Sequence, residues 1–139
     1  MSCLVNVKVK ISSVIENLLP SGLCDGEGER TAAEAAGTFE SRGGVYRIKY
    51  SESTDSGEVK SEITVNDDGV RVVRSGAIVS DILFKENFLH KSLYTLPPYS
   101  FDMEVTTSRI RRGEGRLDIF YTMTLGGQDK RVKMTLDWK

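Results

Sequence analysis

The chain has 139 residues, with 19 Lys+Arg against 20 Asp+Glu and a formal net charge of −1. This length fits one domain spanning residues 1–139 and buries roughly two thirds of the unfolded surface, so the core requires neither disulfide nor metal. The neutral balance argues against electrostatic capture of DNA or anionic membrane, while 39% hydrophobic and 28% charged residues describe a folded, soluble protein.

Met1–Ser12 (MSCLVNVKVKIS) holds Asn6, Lys8 and Lys10 where a signal peptide needs an apolar run. No segment approaches the roughly 18 apolar residues of a membrane span. The expected location is therefore the cytoplasm, with Cys3 and Cys24 as free thiols. Val5, Val7, Val9 and Ile11 alternate with Asn6, Lys8, Lys10 and Ser12, the pattern of a half-buried strand. It extends towards Glu16, with a bend or bulge expected at Ser12-Ser13. Pro20–Glu29 is rich in Gly and acids and reads as a mobile loop, its run Asp25–Glu29 serving solvation.

Arg30–Arg42 is ambiguous. Its Ala and Glu content favours a helix locally, with a short helix near Ala32–Ala36 as the minor reading. The following Gly43-Gly44 and the strand Val45–Ser53 favour a hairpin. A two-residue turn there sets Arg42 against Val45, Glu40 against Arg47, Phe39 against Ile48 and Gly37 against Tyr50. Opposite charges then share one face, and Gly37 leaves room for the Tyr50 ring.

Val59–Val65 and Val70–Arg74 flank Asn66-Asp67-Asp68-Gly69. A four-residue loop pairs Val65 with Val70 and Ile63 with Val72, whereas a two-residue Asp68-Gly69 loop sets Ile63 against Arg74. Strands Ile78–Phe84, Phe88–Thr95 and Phe101–Ile110 follow, with Pro97-Pro98 as punctuation. In the last hairpin, a Gly126-Gly127 turn pairs Tyr121 with Val132, Ile119 with Met134 and Leu117 with Leu136, which puts both apolar sides on one face.

These segments predict an all-β protein of about 8–10 strands joined by short turns, an antiparallel up-and-down barrel whose closure removes the sheet edges. The run Arg74-Ser75-Gly76-Ala77-Ile78-Val79-Ser80-Asp81-Ile82-Leu83-Phe84, with Ser92-Leu93-Tyr94 and Phe101-Asp102-Met103-Glu104-Val105, resembles the YwiB-like family of small bacterial proteins. Val7–Ile11 and Tyr121–Leu125 before the Gly126-Gly127-Gln128 turn fit as well. Leu96-Pro97-Pro98-Tyr99 stands where the family pattern has a Thr-Pro-Tyr-Gly-like turn. The resemblance implies a calycin-like barrel, akin in shape to lipocalins, and a family of unknown function with no catalytic residues to carry over.

Arg74 follows Val70 and Val72 at period two and so faces inward. A charge on that face is costly unless paired. It either closes the barrel end by bonding to carbonyls or a carboxylate, the favoured reading, or anchors an anionic ligand. The aromatics Tyr46, Tyr50, Phe84, Tyr94, Phe101, Tyr121 and Trp138 fall on inner faces, where they either line a cavity or fill it. Arg109, Arg111, Arg112 and Arg116 concentrate basic charge at one hairpin. They suit a solvated tip first and contact with phosphate, RNA or protein second. His90 has no catalytic partner motif, and Asp67-Asp68 is turn chemistry rather than a metal pair.

No cofactor or metal is called for. The reading is a non-enzymatic barrel that binds a small apolar or acidic molecule inside, with Arg74, Tyr46, Tyr50, Phe84, Tyr94, Phe101 and Tyr121 as candidate contacts. The alternative is a filled barrel that interacts with protein or RNA through its surface. An enzyme ranks third.

Overall fold

The structure, a computed structural model, describes residues 3–19, 21, 26 and 28–139. The Cys3 side chain, Cys24 and most of Pro20–Glu29, on which the free-thiol and mobile-loop readings rest, lie outside what is described. Among the described residues there is no helix, and so none long and apolar enough to cross a membrane.

Ten strands follow in chain order. They are β1 (Cys3–Asn17), β2 (Glu29–Arg42), β3 (Val45–Thr54), β4 (Gly57–Asn66), β5 (Gly69–Gly76), β6 (Ser80–Phe84), β7 (Leu89–Leu96), β8 (Tyr99–Gly113), β9 (Arg116–Leu125) and β10 (Gln128–Trp138). One antiparallel sheet orders them β6-β5-β4-β3-β2-β1-β10-β9-β8-β7. Sequence neighbours are thus sheet neighbours, except β6 and β7 at the two ends of the sheet, and β1 pairs with β10, which curls the meander into an up-and-down barrel. The hairpins β2–β3, β4–β5 and β8–β9 define an upper rim. The turns β3–β4, β7–β8 and β9–β10 define a lower rim.

The expected registers hold. Phe39 pairs with Ile48 and Gly37 with Tyr50, and Ile119 pairs with Met134. Val65 pairs with Val70, and the ladder runs on to Asn66 and Gly69, so the turn tightens to Asp67-Asp68. Asn66 Oδ1 accepts from the Asp68 and Gly69 amides at 2.8 and 3.1 Å. Glu40 and Arg47 face one another as charge alternation required. The Ala32–Ala36 segment is strand throughout, because its alternate residues ladder with β1.

Two expectations are corrected. Ser12-Ser13 carries no bulge, since both residues stay in register with β2 and with β10, and an extra residue there would disrupt two ladders at once. The irregularity lies instead in β8 between Thr107 and Arg109, where Ser108 Oγ donates to the Phe120 carbonyl at 3.1 Å. Strand bounds also shift. β6 begins at Ser80, and β8 begins already at Tyr99, because Pro97-Pro98 alone makes the turn.

The inner faces meet in a core of Val9, Ile48, Ile63, Val65, Val70, Val72, Phe84, Met103, Val105, Leu117, Ile119 and Leu136, each essentially removed from solvent. At roughly 1.5–3 kcal/mol per large apolar side chain, this burial is the main favourable term. Phe39, Tyr46 and Trp138 cluster towards the upper rim, with centroids 5.7–6.2 Å apart. Phe84 and Tyr121 meet at 4.7 Å within the core.

Closure is incomplete at one place. β6 and β7 share a single antiparallel bridge, Val79 with Thr95, whose two amide–carbonyl bonds measure 2.8 and 2.9 Å. The rest of that seam is spanned by the His90 ring, whose Nε2 lies 3.1 Å from the Asp81 carbonyl oxygen. On the outer face, Arg71 grips the Asp81 carboxylate through Nε and Nη2, and that grip holds the Asp81 pKa below its ordinary value.

Candidate functional site

One inner-face row runs across five strands. Gly37 on β2 pairs with Tyr50 on β3, Tyr50 with Ser61 on β4, Ser61 with Arg74 on β5, and Arg74 with Ser80 on β6. Alternation along each strand directs these residues into the barrel. Arg74 is half-buried and, among the described residues, forms no hydrogen bond or ion pair. Its two register neighbours are both buried serines, Ser61 at 3% and Ser80 at 4% exposure. Ser80 Oγ has no hydrogen-bond partner among the described residues, while Ser61 Oγ lies against the Tyr50 hydroxyl and acts on it as a hydrogen-bonding neighbour. Arg74 thus sits in register between two buried hydroxyls and makes no barrel-closing bond among the described residues.

The Arg74 charge is felt inside the barrel from two directions. Burial pushes the Tyr50 hydroxyl pKa up, while neighbouring Ser61 and the Arg74 charge act against the rise. Burial pushes Tyr121, on β9, up to about 12, with Arg74 again acting against it. A positive charge that acts on hydroxyls of both β3 and β9 lies within the lumen rather than outside it.

Towards the lower rim this row opens into a cavity of about 210 Å³. Ile11, Ala33, Val59 and Ile78 supply its apolar wall. Ser13, Thr31 and Thr54 supply hydroxyls, and Glu52 and Arg74 supply opposite charges. A guanidinium with hydroxyl donors beside it suits a carboxylate or phosphate oxygen, because such bonds are charge-assisted. An apolar wall suits the rest of a small organic molecule.

The candidate aromatics do not gather at this mouth. Tyr50 stands beside Arg74, Tyr46 belongs to the upper Phe39–Trp138 cluster, and Phe84 with Tyr121 packs in the core. Tyr94 and Phe101 pair across β7–β8 near the lower rim, with Phe101 40% exposed. The basic residues also separate. Arg109 lies opposite Phe120, Arg111 opposite Asp118 and Arg112 opposite Leu117, while Arg116 is bound to Asp118 at 3.4 Å. Lys133 reaches over the Phe120 ring at 5.4 Å, so this outer face combines cations with one aromatic. Among the described residues no three His, Cys, Asp or Glu side chains converge as a metal ion requires.

Sequence reasoning did not single out Ser61, Ser80, Glu52 or Thr54. Ser61 carried the one usable signal, a hydroxyl inside the otherwise apolar stripe Val59-Ser61-Ile63-Val65. Ser80 became a neighbour of Arg74 only through the β5–β6 register.

Comparison with known proteins adds the following. A family model described as a domain of unknown function, DUF1934, matches residues 23–136. The crystal structure of the ywiB protein from Bacillus subtilis is similar in fold, with a TM-score of 0.80. The match covers 98% of this chain and 93% of that one at 23% identity. Among curated proteins no match is found.

Proposed function

This chain belongs to the DUF1934 family, whose domain is of unknown function, and we propose that its barrel binds a small anionic molecule at the lower mouth, against Arg74. One observation carries the reading. Arg74 has no hydrogen-bond or ion-pair partner among the described residues, and Ser80, which flanks it in register, buries a hydroxyl that also has none. Each unsatisfied buried hydroxyl costs roughly 1–3 kcal/mol, and an unpaired half-buried charge adds to that cost. A carboxylate or phosphate in the cavity that Arg74 lines accepts from its guanidinium and removes the cost of the unpaired charge on binding.

The packed core supports the mouth, rather than the full lumen, as the binding place. A cavity of about 210 Å³ falls below the roughly 300–1,000 Å³ of drug-sized pockets, so the ligand is small. The outer face around Arg109, Arg111 and Phe120 supports a second reading, contact with an anionic partner through the surface, since its cations flank an aromatic ring.

Native mass spectrometry of the purified protein, followed by denaturation, reports any co-purified small molecule. Thermal shift with short carboxylates and inorganic phosphate then compares wild type with Arg74→Met. The expected result is a rise in Tm for wild type that is absent in the variant. No bound molecule and no anion-dependent shift in wild type would sink the reading.

A further inference from the structure

We infer that the lower mouth selects zwitterions, namely small α-amino acids with apolar side chains, using Glu52 for the ammonium group and Arg74 for the carboxylate. This rests on the reading of Arg74 as the anion anchor and adds the group opposite it.

Glu52 lies on the inner face of β3, opposite Val59, and lines the same cavity as Arg74. The two belong to β3 and β5, with β4 between them. Strand spacing places their backbones roughly 10 Å apart across the sheet. Both charges act on the one Tyr50 hydroxyl with opposite signs, so both reach the same space. They nevertheless form no salt bridge with each other, and among the described residues Glu52, like Arg74, has no other partner. Two opposite charges that share a cavity without closing on each other leave room between them for a molecule with complementary ends.

The alternatives fit less well. A simple anion gains Arg74 but meets the Glu52 carboxylate, and a simple amine gains Glu52 but meets Arg74. A zwitterion satisfies both. Its side chain then lies on Ile11, Ala33, Val59 and Ile78, and the cavity of about 210 Å³ limits that side chain to a small one.

The test is isothermal titration calorimetry on the full chain. Alanine, valine and leucine are compared with the acids that lack the amine, propanoate, 3-methylbutanoate and 4-methylpentanoate. Isobutylamine serves as the amine that lacks the carboxylate. At least one amino acid is expected to bind tenfold or more tighter than its matched acid, with isobutylamine weaker still. In Glu52→Gln that preference is expected to vanish while the matched acid binds as well or better. Equal binding of acid and amino acid to wild type overturns the zwitterion inference and leaves the anion reading standing. If no carboxylate binds wild type, or if isobutylamine matches valine, the anion reading fails with it. The wild-type comparison decides the matter even where the variant folds poorly.

Discussion

Arg74 and Ser80 face each other across the β5–β6 ladder, and neither side chain has a hydrogen-bond partner among the described residues. Groups placed this way contribute little to the stability of the free chain and are available to something else. Ser80→Ala is therefore expected to leave the urea midpoint unchanged or slightly raised. Removing a buried, unsatisfied hydroxyl relieves a desolvation cost and breaks no bond. Arg74→Met, by contrast, removes the charge that lines the cavity and is expected to weaken anion binding tenfold or more, since a bond to a charged group is worth roughly 1.5–3 kcal/mol. A clear loss of stability in Ser80→Ala would show that its hydroxyl has a partner after all.

Tyr121 links the core to alkaline pH. Its pKa is raised to about 12 by burial, against about 10 in the unfolded chain. The folded state keeps its proton where the unfolded state loses it, so this contribution is complete below pH 10 and is lost as pH climbs towards 12. Two units correspond to roughly 2–3 kcal/mol. Spectrophotometric titration of the phenols is expected to show at least one tyrosine still neutral at pH 11. In Tyr121→Phe the fall in stability between pH 10 and 12 is expected to be shallower.

Gly37 is a packing requirement. A Cβ there would run into the Lys49 carbonyl oxygen and lie 3.1 Å from Tyr50 Cβ and 3.0 Å from Val9 Cγ2. Gly37→Ala should cost about 1–3 kcal/mol through overpacking, despite the usual strand preference against glycine. Chemical denaturation of the variant measures it, and a gain in stability would mean that β2 and β3 separate more easily than their ladder implies.

Asp118 carries acid sensitivity. Burial raises its pKa, but the Thr135 hydroxyl, donating at 2.7 Å, and Arg116 outweigh that, and the net shift is downward. A lowered carboxyl stabilises the fold above the unfolded value near 3.9 and loses that contribution as pH falls through the folded value. Thr135→Val is expected to cost about 1.5 kcal/mol at pH 7, the lower end for a bond to a charged group that keeps some exposure. The difference from wild type should shrink as pH falls through the lowered Asp118 value. A pH-independent difference would place the cost in packing instead.

The hairpins were legible because each register was overdetermined. A one-residue slip at Gly126-Gly127 would turn Ile119 and Met134 outward together, and Gly37 fits against Tyr50 in one alignment only. The bulge was not legible. Thr107, Ser108 and Arg109 have no composition that marks one, and the cause lies in partners distant in sequence, such as Asn87, whose amide donates to the Thr107 carbonyl at 2.8 Å. The site was half legible. Period two turned Arg74 inward, but whether an inward arginine is satisfied depends on neighbours that only the three-dimensional register supplies. Glu52 shows the same limit, since a charged residue near a strand end reads as rim solvation until its lumenal facing is known.

The β6–β7 seam has a consequence for motion. Everywhere else a continuous ladder ties each strand to the next, but here one bridge at Val79–Thr95 and one imidazole contact at Asp81–His90 join two strands. Local opening follows the fewest bonds. Amide protons of 81–84 and 89–93 on the seam side should therefore trade with deuterium well before those of β9 and β10, making this side of the barrel the part that breathes.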